Sequence, residues 1–305
     1  MKNPNIVKIV ALTLMVGALM PIRANANSGD RYVSNDTERP SNGAIHDYAT
    51  AKDPTIITFD VTGAGTDAFQ GTVPSGIAPD RSIVGFIRDA GVPSGTSRRG
   101  FLRDKNGTTT VFDAPGAGTD DFEGTRAYGI NPGGAITGWF IVSGGSYVVH
   151  AYVRAKDGTF TVFDAGIPGP YPQGTFPFSP SVINPEGAIT GYYTDAGNVS
   201  HGFLRAKHGT ITPFDVLGAG TDPFQGTFPA GINPEGAITG DYLDSSYTNH
   251  GFLRDKNGTI TPFDPLGAGT DPGQGTVPGA IAPDGAITGY YVDSSYVFHG
   301  FLRNQ

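Results

Sequence analysis

The chain has 305 residues, of which only 16% are charged, while 46 are glycine and 24 proline. It has no cysteine, which excludes a disulfide framework, a thiolate zinc site and a cysteine nucleophile. Its net charge of −8 disfavours nucleic acid and anionic membrane surfaces as partners, because both reward clustered positive charge.

The first 26 residues read as a secretory signal peptide. Lys2 and Lys8 flank a short basic region, an apolar run covers residues 9–20, and the small residues Ala24 and Ala26 frame a cleavage site. The apolar run is too short to span a bilayer. Cleavage after Ala26 removes three cations and leaves 17 Lys+Arg against 28 Asp+Glu, a mature net charge of −11. No second apolar segment follows, so the expectation is a secreted or periplasmic protein with no membrane span. Residues 27–55 are polar and aperiodic and read as a flexible linker.

From residue 56 the chain repeats. The dipeptide Phe-Asp falls at Phe59, Phe112, Phe163, Phe214 and Phe263, at intervals of 53, 51, 51 and 49 residues. A period near fifty suggests propeller blades or another repeat array. Each repeat holds four short segments rich in β-branched and aromatic residues, read as strands a to d. In the fourth they are GTFPAGIN (226–233), AITGDYLD (237–244), HGFLRDK (250–256) and TITPFD (259–264). No segment has a helical period with caps, so essentially no helix is expected. Turns Asn-Pro-Gly-Gly and Asn-Pro-Glu-Gly join a to b, and Asn-Gly, Asp-Gly or His-Gly joins c to d. As a two-residue hairpin loop, Asn257-Gly258 sets Phe252 opposite Phe263. The same register sets Phe101 opposite Phe112, Tyr152 opposite Phe163 and Phe203 opposite Phe214, one aromatic pair within each repeat.

The repeats open on a lone strand d, IITFD (56–60), and end on a strand c, HGFLR (299–303). A spare d at the start can complete the last unit. The expected fold is therefore all-β, a five-bladed β-propeller over 56–305 with four antiparallel strands per blade, closed by pairing Phe59 with Phe301. An open stack is the alternative.

The sequences HAY at His150 and HGF at His201, His250 and His299, with GINPEGAITG before them, resemble the bacterial extracellular HAF-type repeats. The resemblance covers residues 56–303 and implies export and a propeller-like array. It implies no activity. Gly replaces Ala in most copies, and the first copy has Arg99 in place of His.

Candidate sites follow from what five repeats can bring together. The four histidines belong to different blades, so each is expected to bond a partner such as an Asp within its own blade. The Arg that follows (Arg103, Arg154, Arg205, Arg254, Arg303) reads as a repeated structural partner. Gln70, Glu123, Gln173, Gln225 and Gln274 precede strand a, where a ring at the channel mouth or a cap on the strand are the two readings. The d-to-a loops, four of them carrying GAGTD, and the b-to-c loops share one face. There Tyr147, Tyr247 and Tyr296 could stack on sugars, beside Asp244 and Asp293. Strand b carries an aromatic row, Phe86, Trp139, Tyr192 and Tyr290, broken by Asp241.

These features point to an exported, non-enzymatic binding module, monomeric, with carbohydrate as the ligand class and glycans or cell-surface components as partners. No catalytic residue, metal site or cofactor is assigned, and calcium is left open. A glycan-active enzyme with a central-channel site built on Glu123 and Asp241 is one alternative. A purely structural or adhesive repeat protein is the other.

Overall fold

The computed structural model describes residues 57–88, 97–144, 147–167, 169, 171–179 and 181–304. The signal peptide, the linker and the nominal first residue of the closing strand, Ile56, lie outside the described residues. The chain divides into Met1–Phe59 and Asp60–Gln305, and the architecture below is that of the second unit.

The fold is all-β, without helix among the described residues. Its strands fall into five repeats. The first has β1 (Gly71–Ile77), β2 (Ile83–Arg88), β3 (Arg98–Arg103) and β4 (Thr109–Phe112). The second has β5 (Gly124–Ile130), β6 (Ile136–Ile141), β7 (Val149–Arg154) and β8 (Phe160–Phe163). The third has β9 (Gly174–Phe176), β10 (Ile189–Thr194), β11 (Ser200–Arg205) and β12 (Ile211–Phe214), and the fourth β13 (Gly226–Ile232), β14 (Ile238–Leu243), β15 (Asn249–Arg254) and β16 (Ile260–Phe263). The fifth has three, β17 (Gly275–Ile281), β18 (Ile287–Val292) and β19 (Phe298–Arg303). Within a repeat every pairing is antiparallel, as short strands with tight turns require.

Successive repeats meet through single parallel bridges, Arg98 with Gly124, Ser200 with Gly226 and Asn249 with Gly275. The bridges merge the strands into two sheets, β1 to β8 and β9 to β19. The break falls between β7 and β9, where Gly174 makes no such bridge among the described residues, and β9 is only three residues long, ending before Pro177. The other a strands carry a bulge at the equivalent place, between Pro74 and Gly76, Ala127 and Gly129, Pro229 and Gly231, and Pro278 and Ala280. A bulge is where a strand tolerates proline, since the ladder bond is already lost there.

The hairpin register differs from the expected one by one residue. Phe252 lies opposite Pro262, and Phe263 lies opposite Gly251. Phe101, Tyr152 and Phe203 likewise face Val111, Val162 and Pro213. The cause is the turn. Asp255 N–H donates to the Thr259 carbonyl at 2.8 Å and Gly258 N–H to the Asp255 carbonyl at 3.0 Å. This is a three-residue loop in which only Gly258 has positive φ (95°), not a two-residue loop that would place Asn257 there too. Asp255 Oδ1 holds it by accepting from Asn257 and Thr259 N–H.

A shift of one residue turns a strand's side chains over. The aromatic pairs expected within repeats therefore form between them, edge to face: Phe112 with Tyr152, Phe163 with Phe203, Phe214 with Phe252 and Phe263 with Phe301, at 5.9–6.5 Å. The repeated arginine joins the same seam, with Arg154, Arg205, Arg254 and Arg303 stacked 4.8–5.0 Å from the phenylalanine of the preceding repeat. The apolar core is accordingly segmented. One cluster joins Ala78 and Phe112 to Ile130, Ile136 and Tyr152, and another gathers Val216, Ile232, Ile238, Tyr242 and Phe252. Each seam buries one repeat's face against the next, as a repeat array demands.

The closing strand is not formed among the described residues. Residues 57–60 are irregular, and β19 has no outer strand partner. No sheet is closed.

Candidate ligand-binding loop face

The antiparallel order places the d-to-a and b-to-c loops at one end of every repeat. GAGTD belongs to the d-to-a loop, and its glycines have a mechanical role. In the fourth repeat Gly220 N–H donates to the Leu243 carbonyl at 2.8 Å, and Asp222 N–H donates to Gln225 Oε1 at 2.9 Å. A Cβ on Gly220 would overlap the Gln225 amide, so the second glycine and the glutamine are one device. Gly65 with Gln70, Gly118 with Glu123 and Gly269 with Gln274 repeat it.

This places the five residues expected to line a mouth or cap a strand. Glu123, Gln225 and Gln274 are fully buried, and Gln70 is half-buried, each bound to its own loop. Gln173 is half-buried beside Gly169. The cap is the role their hydrogen bonds support.

The b-to-c turns carry the tyrosines. Asp244 Oδ1 accepts from Ser246 and Thr248 N–H, and Tyr247 N–H donates to the Asp244 carbonyl. Asp293 organises residues 293–297 in the same way, and its carboxyl sits below the usual range because of those N–H donors and His299. Closing these turns puts Tyr147, Tyr247 and Tyr296 at φ of 51°, 61° and 61°. That conformation disfavours a bulky side chain and suits Asn, which stands there in the third repeat as Asn198 (φ 62°). The hydroxyls of Tyr247 and Tyr296 donate to the Pro223 and Pro272 carbonyls of adjoining d-to-a loops. The rings are thereby fixed, and Tyr296 is 57% exposed.

The loop face also carries apolar residues that the reading of the sequence missed. Leu217 and Leu266 occupy one repeat position just before the glycine loop, Ile167 lies one residue beyond it in the third repeat's loop, and they are 94%, 100% and 89% exposed. Phe69 and Phe122 are exposed on the same loops at φ of 67° and 66°. The signal was available, since an apolar residue recurring among Gly, Asp and Thr has no core to enter. Rows of exposed apolar side chains mark interaction surfaces.

No protein-family model matches the chain, and no curated protein matches it.

The histidines are held within their own repeats. His201 lies between Asp215 (Nδ1, 3.0 Å) and Asp195 (Nε2, 3.6 Å), and His250 between Asp264 (2.7 Å) and Asp244 (3.5 Å). His150 meets Asp164 at 2.9 Å, and His299 meets Asp293 at 3.2 Å. Each ring stacks on a strand-b aromatic, Phe140, Tyr193, Tyr242 or Tyr291, at 4.9–5.5 Å. Arg99 replaces histidine by pairing with Asp113 at 2.9 Å. Asp244 and Asp293 are thus engaged by their turns and their histidines.

The strand-b aromatics pack between repeats, Phe86 against Tyr128, Trp139 against Phe176 and Tyr192 against Phe228. Asp241 interrupts them opposite Phe228, and loss of solvent raises its carboxyl to about 7. Glu123 sits in a loop of the second repeat and Asp241 on a strand of the fourth. At the opposite end of the repeats, the turns of the first two enclose a cavity of about 320 Å³ lined by Asp80, Asp104, Lys105, Asn131 and Lys156. Among the described residues no helix is long and apolar enough to cross a membrane.

Proposed function

We propose that this is an exported, non-enzymatic binding protein whose loop face takes carbohydrate, with one modest site per repeat and affinity gained by multivalency. The observation that carries the reading is the tyrosine position. A side chain in left-handed backbone costs about 1–3 kcal/mol, and Asn198 shows a cheaper residue that serves the same turn. Tyrosine at three of the turns is explained by what its ring does outside the turn. A ring fixed by its hydroxyl and open on one face is a stacking platform for a sugar. Ile167, Leu217 and Leu266 extend the contact surface. Glycans and cell-surface components remain the proposed partners, and export rests on the signal sequence.

The proposal includes closure of the five repeats into a propeller, in line with the HAF-type resemblance. Support comes from the two ends. Ile77 is 67% exposed, whereas Ile130, Ile183 and Ile232 at the same position are buried by the preceding repeat. At the other end Thr288 is exposed where Thr137, Thr190 and Thr239 are buried. Asp164, Asp215 and Asp264 each follow a histidine by 14 residues. Asp60, at the start of the array, is a further Asp of that type.

The test is a glycan array with the mature chain, run with calcium and with chelator, against a Tyr247→Asn/Tyr296→Asn variant. Asn keeps both turns, so the variant is expected to fold as well as the parent and lose about tenfold or more in binding. Equal binding by both proteins, or no glycan bound by either, would overturn the carbohydrate reading.

A further inference from the structure

Repeats preserve what the fold needs, so a residue that breaks a repeated position calls for its own explanation. Asp241 is such a residue. On strand b the equivalent places hold Phe86, Trp139, Tyr192 and Tyr290, all aromatic. This row and the strand-a row opposite it fill the joints between repeats. Trp139 meets Phe176 of the third repeat at 5.5 Å, and Tyr192 meets Phe228 of the fourth at 5.3 Å. At the next joint the same two places hold Asp241 and Val277. Two rings give way to a carboxylate and an isopropyl group, so the aromatic seam thins there. Rings flank the gap on both sides, Tyr192 with Phe228 before it and Tyr290 with Phe298 after it.

The carboxyl has no counter-charge in this setting. Only its own backbone N–H donates to it, and no Lys or Arg reaches it among the described residues. The phenols of Tyr192 and Tyr290 are raised by burial and, further, by the charge of Asp241, which places the acid within reach of both rings. The group is not sealed, since Tyr192, Phe228, Asp241, Val277 and Tyr290 each keep part of their surface open to solvent. For the fold alone an aromatic ring, as in the other repeats, would serve at lower cost, because desolvating an unpaired carboxylate is unfavourable. The donor set does not suit a metal ion. No group of three or more His, Asp or Glu gathers among the described residues, whereas a hard cation takes several oxygens. A single carboxylate among aromatic faces does suit an organic ammonium, with the acid as counter-charge and the rings attracting the cation.

We infer that Asp241, with Tyr192, Phe228 and Tyr290, forms a site for the ammonium group of an amino sugar where the fourth repeat meets its neighbours. The carboxylate accepts from the ammonium N–H groups, and the rings carry the cation and the apolar face of the sugar. The sugar part of this inference rests on the carbohydrate reading above, while the ammonium part does not.

Isothermal titration of the mature chain tests it with the glucosamine trimer, its neutral N-acetylated counterpart and tetramethylammonium as probes. The expected result is at least about tenfold tighter binding of the glucosamine trimer than of the acetylated one, a preference lost in Asp241→Asn. Asn keeps the shape of the side chain and removes the unpaired charge, so this variant is expected to fold at least as stably as the parent. Tyr290→Leu keeps the acid and removes one ring, and is expected to weaken tetramethylammonium binding about threefold or more. Equal affinity for the two trimers, tighter binding of the acetylated one, a preference that persists in Asp241→Asn, tetramethylammonium binding that neither variant changes, or no binding of either cation overturns the site. Asp241-dependent binding of tetramethylammonium with neither trimer bound sustains the ammonium site and removes the saccharide reading. Equal binding of the two trimers that is lost in Tyr247→Asn/Tyr296→Asn does the reverse.

Discussion

Phe252→Ala lowers the unfolding free energy by about 3–5 kcal/mol, measured by urea denaturation at an unchanged m-value. Phe252 is fully buried and meets Phe214 of the preceding repeat edge to face at 6.1 Å. It belongs to the cluster of Val216, Ile232, Ile238 and Tyr242, so its removal leaves a cavity bounded by two repeats. Arg254 beside it stacks on the same Phe214 ring, which would lose its edge-to-face partner. The rigid backbone on both sides limits collapse into the void. Phe263→Ala costs less, because Phe263 is only half-buried. A loss under about 1.5 kcal/mol for Phe252→Ala would mean that the seam between repeats is not the core.

Gly226→Ala destabilises by a similar amount, about 4 kcal/mol, for a different reason. Gly226 has φ of 118°, which side chains avoid, and a Cβ there would overlap the Ser200 carbonyl. Backbone strain and overpacking each contribute about 1–3 kcal/mol. The pair Ser200–Gly226 is the parallel bridge joining the third and fourth repeats, so the clash falls on backbone that cannot step aside. Gly236→Ala separates the two causes. Gly236 is at φ of 88° in the a-to-b turn with open space around its Cβ, and its change costs only the strain. Equal losses at Gly226 and Gly236 would remove the clash from the explanation.

Much of this architecture is legible in the sequence. The Phe-Asp period, the four short segments and the turn residues mark out the repeats, and the histidines meet their Asp partners as a repeated local arrangement should. The register is where the reading fails, and the error is physical. Asn257-Gly258 alone looks like a two-residue loop, but Asp255 and Thr259 extend it to three by side-chain and backbone bonds. Asp104 does the same before Asn106-Gly107. That single shift converts an aromatic pair inside each repeat into the glue between repeats. The glutamine row was visible but not its depth, because burial of Gln225 depends on the glycine that makes room for it. The arginines that depart from the repeat were least legible, since Arg88 and Arg98 are partners across β2 and β3 while Arg126 comes from β5 of the second repeat.

The same seam underlies the proposed ring. Phe298 occupies the place of Ser200 and Asn249, whose partners are the glycines opening the next repeat, and Gly71, like Gly174 at the break between the two sheets, is a glycine of that type without a bridge among the described residues. Gly71 has the same φ of 118° as Gly226, yet the space beyond it is open. The aromatic seam recurs at all four joints and the bridge at three of them, and the residue types of both halves recur at Phe298 and Gly71.

Distances between spin labels test this claim most directly, because the chain has no cysteine of its own. Asp80→Cys/Asp284→Cys labels equivalent exposed turns of the first and last repeats, and Glu186→Cys/Glu235→Cys labels the same turns in two adjacent ones. A closed ring of equal units predicts the same distance for both pairs, unchanged when labelled protein is diluted with unlabelled. A longer distance between residues 80 and 284, or a short one that vanishes on dilution because a second copy supplies it, would contradict closure.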